Sequence, residues 1–94
     1  MTTAHQIKEI IEKYKIKTEL EKSFSDFLES NSYADLDIND KEIQINSDNI
    51  NYNHTPLNFH LFKTPILKEN NEIGYCALEY DSKFQLIDNY FVIN

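Results

Sequence analysis

The sequence predicts an α+β domain, with one or two N-terminal helices packed on an antiparallel sheet of about five strands. Two observations carry this. Apolar residues in the first third recur at helical spacing, and after residue 34 the period drops to two. A third observation concerns the end of the chain: residues 73–80 and 84–93 are apolar on both parities, which is the pattern of strands covered on both faces.

The helical part opens on Thr3-Ala4-His5-Gln6, a capping box in which Thr3 caps the first turn and Gln6 reaches back. Ile7, Ile10, Ile11 and Tyr14 then form one stripe at i, i+3, i+4 and i+7. A second stripe, Leu20, Phe24, Phe27 and Leu28, is rotated by about 100° from the first, at 100° per residue. One straight helix cannot bury both, so a break is expected near Lys15–Thr18, with Thr18-Glu19-Leu20-Glu21 capping the restart. The helical region is expected to end near Ser30–Ser32.

Beyond it, Leu36 and Ile38 alternate with Asp35 and Asp37, Ile43 and Ile45 with Glu42, Gln44 and Asn46, and Ile50 and Tyr52 with asparagines. Turns are expected at Asn39-Asp40-Lys41 and Ser47-Asp48. Leu57, Phe59 and Leu61 alternate as a further strand. Pro65 predicts an edge position or a strand start, because proline gives no donor to a ladder. Turns at Lys68–Asn71 and Asp81-Ser82-Lys83 frame the last two strands, and Asp88-Asn89 suggests a bulge or bend.

A length of 94 residues predicts a single domain over 1–94, helical over 3–31 and sheet over 35–94. The single glycine, Gly74, argues against a phosphate-cradling loop. The net charge is −7, from 9 basic residues, all lysine, against 16 acids. Residues 1–34 hold five lysines against six acids, residues 35–62 one against five, and residues 63–94 three against five. Acidity concentrated after residue 35 repels phosphates, so no direct nucleic-acid contact is expected. It steers a basic partner inward. With one cysteine, Cys76, there is no internal disulfide; no signal-peptide pattern or membrane-length apolar run is present, so a cytoplasmic location without membrane contact is expected.

The stretch DLDINDKEIQIN, residues 35–46, starts like a calcium loop with Asp35, Asp37 and Asn39. Its sixth position is Asp40 rather than glycine, and its twelfth is Asn46 rather than a bidentate glutamate. The period-2 pattern makes it a hairpin with one acidic face. His5, His54 and His60 have no zinc spacing. Cys76 reads as a small buried hydrophobe. No metal, cofactor or catalytic set is therefore expected. Tyr75, Tyr80 and Tyr90 on the terminal strands, near Glu79, Asp81 and Asp88, suit a protein-binding surface.

The C-terminal IGYCALEYDSKFQLIDNYFVIN, residues 73–94, resembles the closing hairpin of small immunity proteins of bacterial polymorphic-toxin and contact-dependent inhibition systems. The resemblance lies in Gly74-Tyr75, Leu78-Glu79-Tyr80-Asp81, and Leu86-Ile87-Asp88-x-Tyr90-Phe91-Val92-Ile93. It covers about a quarter of the chain; Asp81-Ser82-Lys83 stands where a turn glycine is usual. It implies a non-catalytic protein that binds and neutralises a basic toxin domain, in many such systems a nuclease. The expected contact residues are Asp35, Asp37, Glu42, Tyr75, Glu79, Asp81, Asp88 and Tyr90. Two other expectations stand beside it: a small homodimeric or ligand-binding module, and a phage-type inhibitor.

Overall fold

The computed structural model describes residues 4–30 and 43–94. Two helices, α1 (Ala4–Lys13) and α2 (Ile16–Ser30), precede five strands: β1 (Gln44–Ile45), β2 (Asn51–His54), β3 (His60–Lys68), β4 (Asn71–Tyr80) and β5 (Leu86–Ile93). The α+β class is as expected, with two helices on one face of an antiparallel five-stranded sheet. The cap at Thr3, the strand and turn expected over 35–41, and the site residues Asp35, Asp37 and Glu42 lie outside the described residues. Among those residues, no helix is long and apolar enough to cross a membrane.

The helix break falls where the two stripes diverge. Lys15 adopts φ 52°, the left-handed conformation that ends a helix, and its carbonyl accepts from the Glu19 amide to start the next. One residue thus closes α1 and caps α2. Thr18, expected as the cap, sits inside α2, and Ile16, inside the expected break, is fully buried instead. Ile16, Leu20 and Phe24, four apart on one face, pack on Phe62, Ile66, Cys76, Leu78 and Tyr80 of the sheet to form the core.

The sheet is largely a meander: β2–β3, β3–β4 and β4–β5 are successive antiparallel pairs. Glu69 and Asn70 both have positive φ, 51° and 67°, which makes the β3–β4 connection a two-residue turn of the type that matches strand twist. The strand expected to start at Leu57 begins at His60. Residues 55–59 instead close a tight loop: Thr55 accepts from the Asn58 amide through its carbonyl, and from the Phe59 amide through its hydroxyl. Leu57 at the tip is 72% exposed.

The segments β1 and β2 both pair with β3 and run in the same direction along it, as one edge strand interrupted by the turn at 47–49. Pro65 is therefore neither at an edge nor at a strand start. It lies within β3, where its carbonyl accepts from the Asn46 amide at 3.1 Å. The missing proline N–H would have faced the Asn46 carbonyl; the buried Thr64 hydroxyl donates there instead, at 2.6 Å. A neighbouring side chain thus replaces a ladder bond, which is how an interior proline is tolerated.

The bulge near the last strand occurs one residue before the expected Asp88. Glu79 pairs with Asp88 and Tyr80 with Leu86, which leaves Ile87 as the extra residue. Gly74 is needed for close approach, because a Cβ there would lie 1.9 Å from the Val92 carbonyl oxygen.

Candidate protein-binding face

Strand alternation sends the residues of β3, β4 and β5 to two faces. One face carries Phe62, Thr64, Ile66, Cys76 and Leu78, and the helices cover it. Cross-strand registers assign the opposite face in three rows: Leu61–Glu79–Asp88, Lys63–Ala77–Tyr90, and Pro65–Tyr75–Val92. Four of the expected contact residues, Tyr75, Glu79, Asp88 and Tyr90, are thereby brought onto one surface. Sequence parity alone left this open, because the terminal strands are apolar on both parities; the register resolves it.

The side chains of this face tie to one another. The Tyr90 hydroxyl donates to Oε1 of Glu79 at 2.8 Å. This bond, chiefly, pushes the phenol up to about 12; desolvation and the charges of Glu79 and Asp88 add to it. Tyr90 is thus a neutral donor held upright by a carboxylate. The Lys63 ammonium lies 4.7 Å from the Tyr75 ring centroid, a cation–π contact. Glu79 and Asp88 stand directly opposite each other on adjacent strands. Like charges in that position are unfavourable to the fold. The patch is mixed: two tyrosine rings, Val92 and Leu61 among two carboxylates and one lysine.

Asp81 is placed differently. It lies in the β4–β5 turn, and its Oδ1 accepts from the amides of Lys83 and Gln85. The same turn is closed by the Phe84 amide donating to the Asp81 carbonyl. Its carboxylate is part of turn construction, an Asx arrangement that also stands in for the glycine expected there.

Three groups singled out in the sequence sit on the helix side. Cys76 is fully buried between sheet and α2, and burial pushes its thiol up to about 11. His54 and His60 face each other across β2 and β3. The Tyr52 hydroxyl lies 2.6 Å from Nδ1 of His60, and the His60 ring stacks on Phe84 with centroids 4.1 Å apart. Phe84 in turn stacks on Tyr14 at 4.5 Å. This aromatic column fastens the helix corner to the sheet end. It was not legible in the sequence, where His60 and Phe84 are separated by two strands.

Comparison with family models, with curated proteins and with solved structures finds no match to this chain.

Proposed function

We propose that this chain is an immunity-type protein that binds and neutralises a basic bacterial toxin domain in the cytoplasm. The observation that carries this is the placement of Tyr75, Tyr90, Glu79 and Asp88 on the sheet face that the helices leave uncovered. Tyrosine anchors among carboxylates are the composition of a hot spot for a cationic partner. The −7 charge supports the same reading through long-range steering. The Glu79–Asp88 opposition supports it too, since a lysine or arginine from a partner would relieve the repulsion.

The test takes a basic toxin domain as its probe, sought first among the genes beside this one. Its affinity for the chain is measured by calorimetry and its association rate by stopped flow. Tyr75→Ala and Tyr90→Ala are each expected to weaken binding by about 2 kcal/mol, chiefly through dissociation. Glu79→Lys with Asp88→Lys is expected to slow association and flatten its salt dependence. Unchanged binding in all of these variants would remove the face from the interface.

A second reading, a homodimer through this face, is favoured by its mixed charge. Lys63 shares the surface with Glu79 and Asp88, so a two-fold axis could set the lysine of one copy on the acids of the other. Sedimentation of the chain alone separates the two readings.

A further inference from the structure

The first helix carries three isoleucines of its stripe, Ile7, Ile10 and Ile11, with Tyr14 just past its end, yet none of its residues is buried. Ile10, Ile11 and Tyr14 lean on the margin of the core. Between α1 and the segment 47–52, the structure leaves a groove of about 760 Å³. That volume falls within the range of small-molecule sites, ~300–1,000 Å³.

Its surfaces divide by chemistry. The apolar part comes from Ile7 and Ile11 of α1, Ile50, and the Tyr52 ring. The wall opposite α1 is fixed in place, because two bonds tie the turn between β1 and β2 to α2. The Ser47 hydroxyl donates to Oε1 of Glu21 at 2.6 Å, and the Lys17 ammonium meets Oδ1 of Asp48 at 2.6 Å. The groove is therefore held in place on its β1–β2 side.

The charge around it runs against that of the protein. Lys8, Lys15 and Lys17 all line the groove, together with Glu12 and Asp48. That is three of nine lysines on one groove and a local balance of +1, in a chain whose total is −7. Asp48 is already matched by Lys17. Among the described residues, Lys8 and Lys15 have no ion-pair partner. The Tyr52 hydroxyl is turned to His60, so that residue offers its ring.

We propose that this groove binds a single-chain amphiphile with an anionic head, a medium-chain fatty carboxylate being the simplest member of the class. The alkyl chain lies along Ile7, Ile11, Ile50 and the Tyr52 ring, where each methylene removed from water tightens binding about fourfold. The carboxylate is met at the rim by Lys8 or Lys15. They stand seven residues apart on the sequence, so one head group engages one of them while the other adds to the local field. Occupancy would also cover Ile7, the residue of the α1 stripe that does not pack against the core. This site is independent of the open sheet face.

The experiment is a titration of the intact chain with decanoate below its micelle range, followed by amide and methyl chemical shifts, with decanol as the uncharged control. Saturable shifts are expected at Ile7, Ile11, Ile50 and Tyr52. Decanoate is expected to bind up to about fivefold more tightly than decanol, the upper end of what an exposed rim ion pair contributes. The Lys8→Gln/Lys15→Gln double variant, both changes being on exposed side chains, is expected to bring decanoate to the decanol affinity. Absence of saturable binding, equal affinity for acid and alcohol, or shifts on the Tyr75–Tyr90 face instead of the groove would each overturn the proposal. So would a double variant with unchanged decanoate affinity.

Discussion

The Thr64 hydroxyl donates to the Asn46 carbonyl at 2.6 Å, at the point where Pro65 has no N–H to give. The pair Thr64-Pro65 therefore works as a unit. Thr64→Val keeps the shape and removes the donor; the expected cost is about 1–2 kcal/mol in urea denaturation. Pro65→Val restores a backbone N–H facing Asn46. Combined with Thr64→Val, it is expected to cost less than the sum of the two single changes. Additive costs would show that the hydroxyl does not substitute for the ladder bond.

Gly74 marks the closest approach of β4 to β5. A methyl there meets the Val92 carbonyl oxygen and the Ile93 Cα, both backbone atoms that cannot rotate away. Gly74→Ala is expected to destabilise the fold by about 3 kcal/mol, the upper range of overpacking. The measurement is the shift of the thermal midpoint, compared with Ala77→Gly in the same strand as a control for strand propensity.

Asp88 separates stability from binding. It opposes Glu79 across the β4–β5 ladder, and the 2.8 Å hydroxyl bond of Tyr90 goes to Glu79, with Asp88 a weaker contributor at the same phenol. Asp88→Lys turns a repulsive pair into an attractive one and is expected to stabilise the free protein by up to about 1 kcal/mol. If the proposed function holds, the same change weakens association with a basic toxin domain. Opposite signs in denaturation and in calorimetry identify a residue kept for contact at the expense of the fold.

His60 confers a pH dependence. Desolvation lowers its pKa below the usual 6.5, and the charge of His54 lowers it further, while Asp81 acts in the other direction. A histidine whose folded pKa is depressed binds its proton more readily when unfolded. Its contribution to stability is thus complete above about pH 6.5 and is lost as the pH falls through the folded value. An NMR titration is expected to place the His60 ring below 6.5. Urea midpoints are expected to fall between pH 7 and pH 5, and less steeply in His60→Gln.

The fold class was legible because the sequence changes period, from 3.6 to 2, near residue 34. The helix break was legible from two stripes that no straight cylinder can bury. It falls at Lys15, the near end of the expected Lys15–Thr18 range; the capping residue was not legible, because nothing marks a lysine that takes a left-handed backbone, where glycine or asparagine is the usual signal. Pro65 misled for a similar reason: the local rule sends it to an edge, and only the three-dimensional neighbour Thr64 lifts the rule. Of the site, the sequence supplied the residue types and the structure supplied their side of the sheet. Tyr75, Glu79, Asp88 and Tyr90 share a face through register, a long-range property with no local trace. The groove beside α1 was invisible because it depends on the β1–β2 turn stepping away from a helix far from it in sequence.

The order of the chain has a consequence for synthesis. The strands β2 to β5 each pair with the next, so they can zip through short loops of low entropic cost. The helices they shelter are made first. Ile16, Leu20 and Phe24 leave the ribosome before any residue of β3 or β4 exists to cover them. The nascent chain therefore carries a bare apolar helix face until the final hairpin is translated. Folding is then expected to arrive late and all at once, when the last strands provide the surface on which that face docks.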